Sequence, residues 1–300
     1  MSEGGELRLV RRPRLVDPVL ICSFRGWNDG GQGASLASSF LTRAWKAEQF
    51  GDIDPELFFD FQSQRPHVAL LDGTVRRIDW PDNSFHEARP GHGARDVVLL
   101  LGTEPSLRWR SFTDLISGLA RELDVSLVVT LGSLLADVPH TRPSPVTASA
   151  TDAALLRELD LQGSRYEGPT GVVGVLHDAC RQVGIASVSL WAAVPHYVSL
   201  TPSPRAAKAL CDRLAELLGV PLDTGELEEA SRVYMQQVSE AVASDEDTAA
   251  YVDELESRAD ELDREVEAEI PSGESLAAEL TRFLREREQG EGDGPAPRDR

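Results

Sequence analysis

Four apolar runs of strand length constrain this chain more than any other feature: residues 19–24 (VLICSF), 96–101 (DVVLLL), 126–131 (SLVVTL) and 187–194 (SVSLWAAV). The middle two are almost wholly apolar, as strands buried on both faces are. Helical spacing fills the intervals. Residues 34–50 place Leu36, Phe40, Leu41, Ala44 and Trp45 near one face, and 109–123 carry Phe112, Leu115, Ile116 and Leu119 at i, i+3, i+4 and i+7. Residues 171–183 and 203–218 follow the same rule, the second opened by Ser203 with Pro204 at the first helical position. Strands alternating with helices predict an α/β fold, a mostly parallel mixed sheet flanked by helices on both faces.

The remaining segments are read from local signals. Residues 56–61 (ELFFDF) predict a further strand. Residues 67–71 and 74–80 flank Asp72-Gly73, a hairpin turn, and predict an antiparallel excursion of the sheet. Residues 81–95 lack periodicity and read as a loop. So does the proline-bearing stretch VPHTRPSPVT, which leads to a short helix at 152–159.

Charge divides the chain. The net charge is −20, and residues 223–289 hold 21 acidic residues against six arginines. A boundary near Pro221 follows, with a core over 1–222, an acidic helical extension over 223–290 and a disordered tail over 291–300. Leu227, Ala230 and Tyr234 begin an amphipathic helix. Val252, Leu255, Ala259, Leu262 and Val266 then repeat at 3, 4, 3, 4, a seam of two heptads expected to pack on its own body or a neighbouring helix. Pro271 breaks it, and Leu276, Leu280, Phe283 and Leu284 predict a last helix.

Such an acidic chain does not suit nucleic acid or an anionic membrane as a partner. No apolar run approaches the ~20 residues of a membrane span, and no apolar stretch follows the basic N-terminus as a secretory signal requires. Cys22, Cys180 and Cys211 are far apart and lie in apolar segments, which reads as buried free thiols in a reducing, cytoplasmic setting.

Four loops carry candidate ligand-binding residues. The first, GWNDGGQG, places Gly26, Asn28, Asp29, Gly30 and Gly31 between a strand and a helix. Backbone amides and a helix N-terminus there suit an anion. The same residues also suit a tight turn capped by Asn28 or Asp29. The second, DVPHTRP, follows a buried strand; His140 has the chemistry of a general base and Arg142 that of an anion ligand. The third, YEGPTG, holds Glu167 and Gly171 before a helix, where an acidic residue could orient a ligand or cap the helix. The fourth, Pro195-His196-Tyr197, closes the last strand. The six histidines show no HExxH or paired-cysteine spacing, so no metal or other cofactor is implied, and no GxSxG elbow is present.

The strings FRGWNDGGQGA, EPSLRW, LGSLLADVPHTRPSPV, YEGPTGVVGVLHDAC and SLWAAVPHYV, followed by SPRAAKAL, occur in order across residues 15–220. Together they resemble the proteasome assembly chaperone 2 family in its actinobacterial branch. The resemblance implies a phosphorylase/hydrolase-like fold similar to nucleoside phosphorylases. It also implies a non-enzymatic role, since relatives guide proteasome α-subunits into rings and engage them through a C-terminal hydrophobic-Tyr-X tripeptide. Here the final residues are Arg298-Asp299-Arg300, a departure from that pattern. Two readings follow. One is an assembly factor that binds proteins, with proteasome subunits as partners and self-assembly into a homo-oligomer. The other is an enzyme or binder of nucleosides or anions.

Overall fold

A computed structural model describes residues 6–91, 95–151, 153–158, 166–198 and 202–269. The strands are β1 (Leu7–Leu9), β2 (Val19–Arg25), β3 (Glu48–Ile53), β4 (His67–Leu71), β5 (Val75–Asp79), β6 (Asn83–Ala88), β7 (Val97–Thr103), β8 (Leu127–Ala136), β9 (Val146–Ala150) and β10 (Ala186–Pro195). The helices are α1 (Gly33–Ala44), α2 (Trp109–Glu122), α3 (Ala153–Glu158), α4 (Val172–Gln182), α5 (Pro204–Leu218), α6 (Gly225–Ala243) and α7 (Glu246–Glu269).

Eight strands form one mixed sheet in the order β1-β3-β6-β7-β2-β8-β10-β9. The central four, β7-β2-β8-β10, are parallel, and the flanking strands run antiparallel. This is the expected α/β class, with the four apolar runs at its centre.

Alternation along β2 builds both halves of the core. Val19 and Ile21 face a cluster that includes Phe40 and Leu41 of α1 and Leu210 and Leu214 of α5. Leu20, Cys22 and Phe24 face Phe112 and Ile116 of α2 and Leu176 of α4. Each such fully buried side chain contributes about 2 kcal/mol. The three cysteines are free and buried. Burial raises their thiol pKa values, that of Cys180 to about 12.

Several sequence expectations are corrected. The helix expected over 34–50 ends at Ala44, where Lys46 takes a positive φ of 50°, and the chain re-enters the sheet as β3. The strand expected over 56–61 is a 3-10 turn at Pro55–Leu57, capped by Asp54, which accepts from Glu56 N at 3.0 Å. Its apolar residues nonetheless pack, since Phe58 and Phe59 are buried. The loop expected over 81–95 contains β6. It is polar in sequence but largely buried, and its groups are paired: Asn83 Nδ2 donates to Thr103 O at 3.1 Å, and Glu87 meets Arg11 and Arg89. The stretch 138–147 was expected to be all loop; its last residues begin β9. The hairpin β4–β5 forms as expected but stands apart as a two-stranded sheet, not as an excursion of the main one.

The opening of α5 is as read: Ser203 Oγ accepts from Ala206 N at 3.3 Å and Pro204 occupies the first turn. Beyond it, Leu227 of α6 joins the apolar cluster of α1 and α5. Tyr234, Val238 and Val242 of α6 pack with Val252 of α7, so the start of the seam lies against a neighbouring helix. The helix expected at 276–284 and the tail at 291–300 lie outside the described residues.

Candidate functional site

All the candidate loops lie beyond the C-terminal ends of β7, β2, β8 and β10. β2 and β7 are parallel neighbours, yet the chain leaves β2 for α1 on one face and leaves β7 for α2 on the other. The crevice between two such strand ends is where open α/β sheets hold their ligands.

Here Glu104 fills that crevice. It directly follows β7, and its carboxylate accepts from Trp27 N at 3.2 Å, Asn28 Nδ2 at 3.0 Å and Val172 N at 2.8 Å. One side chain thus ties together the loop after β2, the loop after β7 and the N-terminus of α4. The neighbouring glycines are explained by it. A Cβ on Gly171 would lie 2.6 Å from Glu104 Oε1 and 2.7 Å from the Asn28 amide, and one on Gly26, whose φ is 138°, 3.0 Å from Glu104 Cβ. Asn28 is 1% exposed, and its Oδ1 has no partner among the described residues.

Asp29 acts on the other helix. Its Oδ1 accepts from Ala34 N at 2.9 Å and Ser35 N at 3.1 Å, and from Ser133 Oγ at 3.4 Å. The first-turn amides of α1, which made the glycine loop an anion candidate, already face this carboxylate. Gly30 lies against the backbone of Ser133–Leu135, and Gly31, at φ 57°, leaves no room for a Cβ beside Val194.

His140, Arg142 and His196 also come together, but beneath the extension. His140 is 2% exposed. Its backbone N donates to Tyr197 Oη at 2.8 Å, its Nδ1 lies 2.9 Å from the same hydroxyl, and its Nε2 lies 2.9 Å from Ser239 Oγ of α6. Desolvation holds its pKa below the ordinary histidine value; Glu256 partly opposes this and Arg205 adds to it. Thr141 Oγ1 donates to Glu256, and Arg142 Nη2 pairs with Asp260 Oδ1 at 2.7 Å, both partners on α7. His196 lies 3.3 Å from Asp137, which also accepts from Tyr251 Oη of α7 at 3.2 Å. The rings of His196, Tyr197 and Tyr251 pack edge to face, with centroids 5.5 to 6.3 Å apart. The crevice between His140, Pro195, Arg205 and Tyr234 has no space for a water-sized sphere.

Nine of the ten candidates therefore fall into two groups. Gly26, Asn28 and Gly171 surround Glu104, with Asp29 and Gly30 packed beside them on the end of β8 and Gly31 against Val194 of β10. His140, Arg142 and His196 hold α6 and α7. Glu167 is exposed on the loop before α4. Glu104 was not among the candidates. Its signal was present: an acidic residue just past a fully apolar strand, within EPSLRW.

Around Glu104 the surface is open. Trp27 is 63% exposed although its backbone is fixed, and Leu134 and Tyr166 are exposed as well. A groove of about 1140 Å³, lined in part by Arg25, Gln64, Trp80 and Thr103, adjoins it. Gln64 Nε2 donates to Glu104 O at 3.3 Å. Among the described residues no cluster of His, Cys, Asp and Glu could hold a metal ion, and no helix is long and apolar enough to cross a membrane.

Comparison with known proteins places this geometry. No curated protein matches the chain. Among solved structures, a PAC2 family protein of Streptomyces avermitilis is 48% identical, covering 79% of this chain and all of its own, with a TM-score of 0.74. A proteasome-assembly chaperone homologue of Mycobacterium tuberculosis is 43% identical over 78% of this chain and 99% of its own, with a TM-score of 0.72. An archaeal proteasome activator of Pyrococcus furiosus shares the fold alone, at 19% identity, 78% and 97% coverage and a TM-score of 0.63. The sequence profile of the PAC2 family matches residues 23–242, and the chain belongs to that family.

Proposed function

We propose that this protein is a non-enzymatic, cytoplasmic assembly factor that binds other proteins, with proteasome subunits as its partners. One observation carries the reading. The helix N-termini of α1 and α4, the two anion sites a ligand would use, both carry carboxylates of the protein itself, Asp29 and Glu104. What the same loops offer outward is an exposed tryptophan on a fixed backbone. Tryptophan, tyrosine and arginine anchor protein interfaces more than other residues do. Kinship with a proteasome-assembly chaperone homologue supports the same direction. The acidic segment from residue 223 is, on this reading, a separate interaction region supported by the core.

Native mass spectrometry of the full chain with recombinant proteasome α- and β-subunits tests the proposal. A stoichiometric complex is expected with one of them, and Trp27→Ala is expected to weaken it by about tenfold or more with thermal stability unchanged. If no subunit is bound, the proposal fails. The alternative, a nucleoside or anion binder, finds a cleft in the groove beside Arg25 and Trp80. A thermal-shift series with nucleosides, nucleotides and phosphate is expected to show no stabilisation.

A further inference from the structure

The helix α7 is held the way a bound peptide is held, along one face. Val252 clusters with Tyr197 and Val198 and with Val238 and Val242 of α6. Tyr251 stands edge to face with His196 and Tyr197 and donates to Asp137. Glu256 accepts from Thr141, and Asp260 pairs with Arg142. Residues 252, 256 and 260 repeat every four positions, the spacing of a helix lying in a groove. Asp253, Glu254, Ser257, Arg258 and Glu261 are exposed to solvent.

The hold is light. Among the described side chains of α7, Val252 and Leu255 alone are buried. Charge pairs at an exposed rim add little, and ordering the 24 residues of the helix costs conformational entropy. Opening α7 therefore takes far less than unfolding the core. The joint is short as well. Ser244 and Asp245 separate α6 from α7, and Asp245 starts α7 afresh by accepting from Thr248 N at 2.7 Å. Cover and covered also differ in kind. The PAC2 profile matches residues 23–242, which include Asp137, Arg142, His196 and Tyr197, whereas all of α7 lies beyond it.

We propose that the surface beneath α7 is a docking groove for an amphipathic, acidic helix of a partner protein, and that α7 keeps this groove closed until such a helix displaces it. The segment seated in the groove states the chemistry of the occupant. It offers a tyrosine and an adjoining apolar residue, Tyr251 and Val252, then an apolar residue four positions after the tyrosine and carboxylates five and nine positions after it, Leu255, Glu256 and Asp260. The groove answers each of these. Asp137 takes the tyrosine hydroxyl, Thr141 and Arg142 take the carboxylates, and Val198, Val238 and Val242 receive the apolar edge. A basic helix, or a wholly apolar one, would leave Thr141 and Arg142 without partners. The inference does not depend on the proteasome partner proposed above, because its probe is a peptide.

A labelled peptide of residues 246–269, titrated into the full chain and followed by fluorescence anisotropy, tests it. The native chain is expected to bind this peptide weakly, because its own α7 competes at an effective concentration of roughly a millimolar. Leu255→Asp in the full chain puts a charge on the buried face of α7 and releases the helix. That variant is expected to bind the native peptide about tenfold more tightly or better. Hydrogen exchange should then find α7 of the variant unprotected, and added peptide should slow exchange over 137–142 and 196–198. Val198→Asp combined with Leu255→Asp charges the groove itself and should abolish binding, with exchange in the central strands unchanged as the check on folding. A peptide carrying both Val252→Asp and Leu255→Asp should not bind. Equal affinity of the native and Leu255→Asp chains, an α7 that stays protected despite the charge, or protection by the peptide elsewhere overturns the proposal. So does binding confined to a dimer in light scattering, since α7 would then be exchanged between copies and no foreign helix would be needed.

Discussion

The loop after β2 and the loop after β8 leave neighbouring parallel strands at the same end of the sheet. Both mix turn-forming residues with polar side chains, and both sit where α/β folds place ligands. The polar groups of the second turn toward α6 and α7. His140 reaches Ser239, Thr141 reaches Glu256, Arg142 reaches Asp260 and Asp137 reaches Tyr251. Those of the first turn inward to Glu104 and Asp29, and Trp27 is left outside. Loop position and residue type are alike in the two regions. The difference is whether another element covers the loop, and that is set by residues 99 to 118 positions further along the chain.

The open region gives the largest expected effect. Glu104→Ala leaves Trp27 N, Asn28 Nδ2 and Val172 N without their shared acceptor. Three bonds to a charged group, partly replaceable by water, put the loss near 3 kcal/mol. Urea denaturation measures it, and Trp27 emission should shift as its loop loosens. Glu104→Gln keeps one acceptor oxygen and should fall between. If both variants unfold like the native chain, Glu104 does not hold this region together.

The covered region comes next. His140→Ala removes two side-chain hydrogen bonds from a buried position, those to the hydroxyls of Tyr197 and Ser239, at about 2 kcal/mol. The readout that separates it from Glu104→Ala is local. Hydrogen exchange should quicken over 225–269 and leave α4 untouched, whereas Glu104→Ala should do the reverse.

Acid should expose the same contrast without mutation. Burial depresses the His140 pKa, so the fold holds the neutral imidazole. Its contribution is complete above the unfolded value of about 6.5 and declines as pH falls through it, because the unfolded chain then binds the proton more readily. Exchange in α6, corrected for its intrinsic pH dependence, should therefore rise from pH 7.5 to 5.5 relative to that around Glu104. His177, buried in the core with a pKa near 4, loosens the whole molecule in the same direction, so the comparison between regions carries the test. Equal changes in both would mean that His140 is not the sensitive contact.

These contrasts also mark what the sequence makes legible. The central sheet follows from composition alone, since 96–101 and 126–131 have few alternatives to burial on both faces. β6 was illegible because NSFHEA is polar by residue and buried through partners such as Arg11 and Thr103, distant in sequence. β3 was hidden because Phe50 continued the apolar pattern of α1 past the turn at Lys46. At the site, Asp29 could be read as a cap from its place before a helix. Glu104 could not be assigned, because its three donors come from residues 27, 28 and 172 and only the folded topology brings them together.

The smallest expected effect tests how the extension is held. Arg142 and Asp260 are joined through two guanidinium nitrogens at 3.2 and 2.7 Å, yet their side chains are 40% and 49% exposed. Solvent screens such a pair, and a double-mutant cycle with Arg142→Ala and Asp260→Ala should return about 0.5 kcal/mol or less, shrinking further at high salt. The covered region would then owe its closure to the buried His140 contacts and the aromatic packing of Tyr197 and Tyr251, with the ion pair only setting register along α7. A coupling well above 1 kcal/mol would reverse that order and make docking of the acidic helices chiefly electrostatic. Raising salt from 0.05 to 0.5 M should in that case free α7 while leaving the Glu104 region intact. In the arrangement argued for, the same change should leave exchange in α6 and α7 close to its starting value, because hydrogen bonds inside a buried contact are screened far less than charges at its rim.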